Sequence, residues 1–99
     1  MARFDIFENE GGSGYLLDIQ SDILSGLNTR VVVPLLPKSS APSPAQRLNP
    51  VFSIEGQALV MATQFMAAVP AGELRSCVGN LAEHQADISA ALDMLFLGF

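Results

Sequence analysis

The 99 residues include only one cysteine and one histidine. Cys77 has no partner for an intrachain disulfide, and with His84 it falls short of the ligand set of a usual zinc site. Bases are also few. Arg3, Arg30, Lys38, Arg47 and Arg75 lie scattered against ten acids, for a net charge of −5. A nucleic-acid surface needs clustered cations to neutralise phosphates, so the composition argues against one. There is no phosphate-binding loop, because "GGSG" (11–14) runs into a strand-like stretch with no Lys-Ser/Thr behind it. No apolar run approaches the ~18 residues of a membrane span. "MARFDIFENE" lacks the basic-then-apolar order of a signal peptide. A cytoplasmic protein with no cofactor, no metal and no membrane contact is expected. His84 reads as a solvated helix residue and Cys77 as a small buried apolar one. Neither has the spacing of a catalytic triad, so no catalytic residue is assigned and no enzyme is expected.

Apolar residues, by contrast, are in surplus: 49% of the chain is hydrophobic and 15% charged. A chain of this length buries about two-thirds of its unfolded surface. That predicts a single domain over 1–99 with a small core, and apolar surface left outside it. Such a surplus commonly marks an interface, which points to an oligomer. It is concentrated in "LDMLFLGF" (92–99), where Leu95, Phe96, Leu97 and Phe99 crowd the C-terminal positions. This segment either docks into its own core, or meets a second chain, or is presented to a target.

"RFDIF" (3–7) and "YLLDIQ" (15–20) alternate as strands around the acidic, glycine-rich loop "ENEGGSG" (8–14). Tyr15, Leu17 and Ile19 share one strand face, with Leu16, Asp18 and Gln20 on the other. Asp18 reads either as a hydrogen-bonded, partly buried carboxylate or as an exposed one, with a structural role favoured. "RVVVPLL" (30–36) is strongly β-branched, and Pro34 predicts an edge or a bulge there. "PKSSAPSPAQRLNP" (37–50) is a proline-rich loop. "VFSIEGQALVMATQF" (51–65) reads as a hairpin turning at Glu55-Gly56, and "VPAG" (69–72) breaks the strand that follows. Asn80 and Glu83 have capping-box spacing ahead of a helix. Ile88, Ala91, Leu92 and Leu95 form its core stripe. Ala90, Met94 and Leu97 form a second apolar row that needs another partner. Ile23 and Leu24 fit core and surface equally well by periodicity. The class is a mostly antiparallel β fold closed by a C-terminal helix.

"DIQSDIL" (18–24), "NTRVVVPL" (28–35), "VPAGEL" (69–74) and "DISAALDMLFLGF" (87–99) together resemble the CcdB toxin family across nearly the whole chain. The resemblance implies an SH3-like barrel-type sheet, a small side sheet and a C-terminal helix. It implies a homodimer with helices near the two-fold axis, built here on Met94, Leu97 and Phe99. It further implies a toxin of a toxin–antitoxin pair, on a plasmid or a chromosome, that binds the DNA gyrase A subunit and traps gyrase on cleaved DNA. A CcdA-like antitoxin with a flexible C-terminal segment would neutralise it. The gyrase-contacting residues carried over are Ile23, Leu24, Asp93, Phe96, Leu97, Gly98 and Phe99. Leu97 stands where the family has tryptophan, Phe99 where it has isoleucine, and Asp93 where it has an amide. Two alternatives stay open. One is a non-toxic dimeric binding module of this fold. The other is a MazF-like endoribonuclease, whose fold is similar but which needs a basic groove and an acid–base pair.

Overall fold

A computed structural model describes residues Met1–Phe99. Seven strands are joined in one antiparallel sheet: β1 (Asp5–Glu8), β2 (Tyr15–Asp18), β3 (Thr29–Pro37), β4 (Val51–Ile54), β5 (Gln57–Met61), β6 (Ala67–Pro70) and β7 (Cys77–Asn80). The order is β4-β5-β3-β2-β1-β7, with β6 also on β3. One helix, α1 (Gln85–Leu97), closes the sheet. The fold is the expected mostly β, curled half-barrel with a C-terminal helix. The smaller sheet expected beside it is not detached, since β4 and β5 join the main sheet through β3.

Strand alternation sorts side chains onto two faces. Ile6, Leu17 and Val33 lie opposite one another across β1, β2 and β3. With Leu35, Leu59, Met61, Ile88 and Ala91 they form the main core beneath α1. Tyr15 and Ile19 pack on the same face as Leu17, as their spacing predicts. Phe7, Val32 and Leu74 make a smaller cluster on the other face, with Leu16 and Val69 against it. The centre of β3 is therefore covered on both sides, and Val32 and Val33 are both buried.

That places Pro34 in a central strand, at neither the edge nor the bulge that were expected. β3 pairs with β2 along one side through 32–35. Its other side is shared: β6 takes Thr29–Val32 and β5 takes Leu35–Pro37. Pro34 falls in the gap between them, where its carbonyl accepts from Ala62 N at 2.9 Å. In antiparallel pairing a residue's N and C=O point to the same side. The missing N–H of proline therefore falls where the β5 ladder ends and the chain turns away after Ala62. Ala62 to Phe65 leave the strand as a 3-10 turn, Thr63–Phe65, and "AAVP" then returns as β6, which sequence alternation did not predict.

The Glu55-Gly56 hairpin is as predicted. Both residues have positive φ, 52° and 79°, the pattern of a type I′ turn. β1 starts later than predicted. Phe4 is left-handed, with φ 74°, and 4% exposed. Its N donates to Asp18 O at 2.6 Å, and its carbonyl accepts from Leu81 N at 2.9 Å. The capping box does not close. Asn80 Oδ1 accepts from Ala82 N at 2.7 Å and so caps a 3-10 turn, Ala82–His84, while α1 itself begins at Gln85. The Asn80 amide nitrogen instead ties this lead-in to Arg3 O and Asp5 Oδ1, at 3.1 and 2.9 Å.

Asp18 is more deeply buried than expected, at 0% exposure, and Arg30 is 1% exposed. Arg30 Nε donates to Asp18 Oδ2 at 2.9 Å, and Nη2 lies 2.7 Å from the same oxygen. Removing one partner of a buried pair strands the other charge, which costs about 3–5 kcal/mol. Arg30→Met is expected to lower unfolding free energy by that amount in urea titrations, and adding Asp18→Leu is expected to restore much of the loss. A second check concerns the link between β2 and the β4–β5 turn. Tyr15 Oη donates to Glu55 Oε2 at 3.1 Å, and this bond, with the carboxylate's charge, raises the phenol pKa above its usual 10.0. Absorbance titration of tyrosinate is expected to show that rise, and Glu55→Gln is expected to bring it back down.

Candidate functional site

The structure leaves two apolar patches facing solvent. The first is a 3-10 turn, Asp22–Leu24, between β2 and β3. Ile23 is 88% exposed, and Leu24 and neighbouring Leu27 are about half exposed. The turn is nonetheless well anchored. Ser21 Oγ accepts from Ile23 N at 3.3 Å, and Ser21 O from Leu24 N at 3.0 Å. Arg3 N donates to Asp22 Oδ1 at 2.8 Å, and Arg3 Nε to Ile19 O at 3.1 Å. Periodicity left Ile23 and Leu24 undecided between core and surface. The structure puts both outside.

The second patch is the end of α1. Its core stripe is buried only in its first half. Ile88 and Ala91 are fully buried and Leu92 packs against the core, but Leu95 is exposed. Phe96, Leu97 and Phe99 are more exposed still, and Asp93 is also exposed. The second row is half covered at Ala90 and Met94 and open at Leu97. The segment thus does not dock into its own core. Gly98 has φ 83° and its N–H reaches Asp93 O and Met94 O at 3.1 and 3.2 Å, a left-handed helix stop. That backbone role turns Phe99 away from the helix axis. It also explains a glycine here without invoking a target.

Within one chain the two patches sit on separate supports. α1 packs on the Thr63–Phe65 and Ala82–His84 turns, whereas the Asp22–Leu24 turn is tied to the N-terminal residues. Two expectations are corrected. Cys77 is exposed, because "CVGN" is an unpredicted edge strand, β7, paired only with β1. His84 is half-buried, its ring 4.9 Å from that of Phe52, and not simply solvated. Phe65 and Val51, which received no role from the sequence, are about half exposed. No sequence signal marked them, since their alternation matches that of core residues.

The "ENEGGSG" loop is solvated, as expected, and it walls a cleft of about 340 Å³. Glu8, Glu10 and Glu73 rim the cleft, with Leu16 and Val69 beside them. No trio of His, Cys, Asp or Glu is arranged to hold a metal ion. No helix is long and apolar enough to cross a membrane.

A family model described as "CcdB protein" matches residues 3–98. The chain belongs to the CcdB family. Members of that family are toxins of toxin–antitoxin systems. Two solved structures share the fold at low identity. One is an endoribonuclease in complex with its cognate antitoxin from a mycobacterial species. It is 16% identical over all of this chain and 98% of its own, with a TM-score of 0.78. The other is the Mycobacterium tuberculosis toxin MazF-mt6, 14% identical over 93% of this chain and 95% of its own, with a TM-score of 0.73. At such identity the likeness is one of fold.

Both patches protrude without supporting the core. Ile23→Arg and Phe96→Ser are each expected to change unfolding free energy by no more than about 0.5 kcal/mol in denaturant titrations.

Proposed function

We propose that this CcdB-family protein is the toxin of a type II toxin–antitoxin system. It binds the DNA gyrase A subunit, holds gyrase on cleaved DNA, and is neutralised by a CcdA-like antitoxin with a flexible C-terminal segment. The observation that carries this reading is the solvent exposure of Ile23, Leu24, Phe96, Leu97 and Phe99, the residues matching the family's gyrase-contacting positions. Poisoning of this kind requires no catalytic group. It requires a surface that binds a transient open state of gyrase more tightly than the closed one, and the population shift follows from that difference. Two solvent-facing apolar patches on a hydrogen-bonded frame suit such a task.

The working form is a homodimer. The half-covered row Ala90, Met94 and Leu97 supplies the unsatisfied apolar face, with Phe99 beside it. Two copies related by a two-fold axis would present both patches twice. Asp93 adds a carboxylate at the edge of this surface. Leu97 lacks the area and the indole N–H of the family tryptophan, and truncating such an anchor costs ~2 kcal/mol or more. Phe99 returns aromatic area two residues later. The acidic cleft beside the 8–14 loop offers a basic antitoxin segment complementary charge. In a cell this pair would serve plasmid maintenance or its chromosomal counterpart.

The shared fold of the two solved structures favours one second reading, an endoribonuclease. Charge speaks against it. Of five bases, Arg30 is sealed in the pair with Asp18, leaving Arg3, Lys38, Arg47 and Arg75 to meet phosphates. His84 is occupied against Phe52.

The test is a gyrase cleavage assay: protein, gyrase, supercoiled plasmid and ATP, then denaturation and quantification of linear DNA. Linear DNA rising with dose is the expected result, abolished when Leu97, Gly98 and Phe99 are deleted and reduced by Ile23→Arg. The truncated protein is expected to remain folded by circular dichroism, since the deleted residues are exposed. A folded dimer that yields no linear DNA, beside a working control toxin, would overturn the gyrase assignment in favour of a non-toxic binding module. Salt-sensitive RNA cleavage would overturn it in favour of the nuclease.

A further inference from the structure

The Ile23–Leu24 turn is exposed and yet tied down by several hydrogen bonds. One of its anchors is a side chain that sequence reasoning left without a role. Gln20 is 7% exposed. Its Nε2 donates to Leu24 O at 3.1 Å, and its Oε1 accepts from Val31 N at 3.1 Å. Its own backbone N donates to Asp18 Oδ1 at 3.0 Å, on the carboxylate that Arg30 holds. Each partner fixes the amide's orientation, because Val31 N–H can only donate and Leu24 C=O can only accept.

We infer that Gln20 is a positioning residue that staples the Ile23–Leu24 turn to β3 and so presents these two side chains in a preformed conformation to the partner they meet. The identity of that partner as the gyrase A subunit rests on the function proposed above; the staple does not. A free loop of eight exposed residues, Ser21 to Asn28 here, would sample many conformations. Binding would then be weakened by the fraction of time the loop spends in the competent one. Holding the loop beforehand removes that loss. The hydrogen bonds inside the turn point the same way. Leu24 N, Ser25 N and Leu27 N donate to Ser21 O, Asp22 O and Leu24 O at 3.0 to 3.1 Å. Gln20 thus acts on recognition through Leu24 and touches no partner itself. Asp22, through Arg3 N, is a second attachment.

The experiment uses the full chain and two variants. Gln20→Met keeps the length and removes both side-chain bonds. Asp22→Ala is exposed and frees the other attachment with little risk to folding. Amide hydrogen exchange is followed at Leu24, Ser25 and Leu27, with Val33 and Leu59 as core references. Association with the gyrase A subunit is measured in parallel by surface plasmon resonance. The wild type is expected to protect the three turn amides. Gln20→Met is expected to raise their exchange at least tenfold with the core amides unchanged, and to weaken binding about five- to tenfold, mainly through slower association. Asp22→Ala is expected to raise exchange in the same three amides. A purely structural glutamine would raise core and turn exchange together and leave the affinity of the folded protein unaltered, which would overturn the proposal. So would turn amides as fast in the wild type as in an unfolded chain, or a loosened turn that binds as tightly as the wild type. If Gln20→Met fails to fold, the Asp22→Ala exchange and affinity decide between the same outcomes. If the wild type does not bind the gyrase subunit at all, the proposed function falls, and the exchange data alone sustain or overturn the staple.

Discussion

A charge pair closed off from water sits at the centre of this molecule. Asp18 ends β2 and Arg30 lies near the start of β3, so their contact shuts the mouth of the connection that carries Ile23 and Leu24. A buried pair of this kind adds little net stability over a well-packed apolar one, but losing either partner strands a charge. Asp18 also accepts the Gln20 backbone N–H, and its own carbonyl accepts from left-handed Phe4. Phe4 in turn accepts from Leu81 at the lead-in to the helix. The turn, the N-terminal residues and the start of the helical segment are thus all referred to one fixed point. The side chains exposed to solvent inherit their placement from the residues least exposed to it.

The sequence was most legible where structure is local. The Glu55-Gly56 turn is set by two residues that accept positive φ. The stripe through Ile88 and Ala91 is set by helical spacing. Loops rich in glycine or proline behave as their chemistry requires. Legibility failed where a distant partner decides. "CVGN" has no alternation of its own and becomes a strand because β1 offers it an edge. Cys77 is exposed for the same reason. "AAVP" becomes β6 because β3 leaves half a side free. Pro34 was read by the rule for sheets with continuous ladders, and this ladder has a gap. Phe4 adopts an unfavourable backbone conformation because hydrogen bonds to Asp18 and Leu81 hold it from both sides. The candidate surface shows the same division. Periodicity could mark Leu97 as uncovered, but nothing in the spacing of Ile23 and Leu24 separates a protruding turn from a core one. Gln20 was invisible, since a glutamine on a strand face gives no hint of what its amide will meet.

The CcdB assignment and the likeness to MazF-type structures are compatible, because a curled sheet with a helix across it is a frame and not an activity. What a member of this architecture does depends on what the frame exposes. A nuclease surface must gather cations and a proton-transfer pair. This chain buries one of its few arginines to organise its interior and turns bare hydrocarbon outward. The departures at Asp93, Leu97 and Phe99 all lie on the exposed end of α1, where substitution leaves the core undisturbed. Target preference can therefore change in this chain while the fold stays constant.

The pairing of β1 with β7 bears on how the chain reaches its structure. β1 is made first, yet its outer neighbour spans Cys77–Asn80, so that Asp5 lies opposite Asn80. β3 likewise waits for two later strands to complete its far side. Closing such long loops before any local reward is slow, and folding of sheet-dominated chains falls in the millisecond-to-second range. During synthesis the outer edge of the first strand stays bare until nearly four-fifths of the chain has emerged. An unpaired edge of this kind is a template for pairing with other chains. The nascent chain is therefore open to pairing with other chains until Cys77–Asn80 docks on that edge.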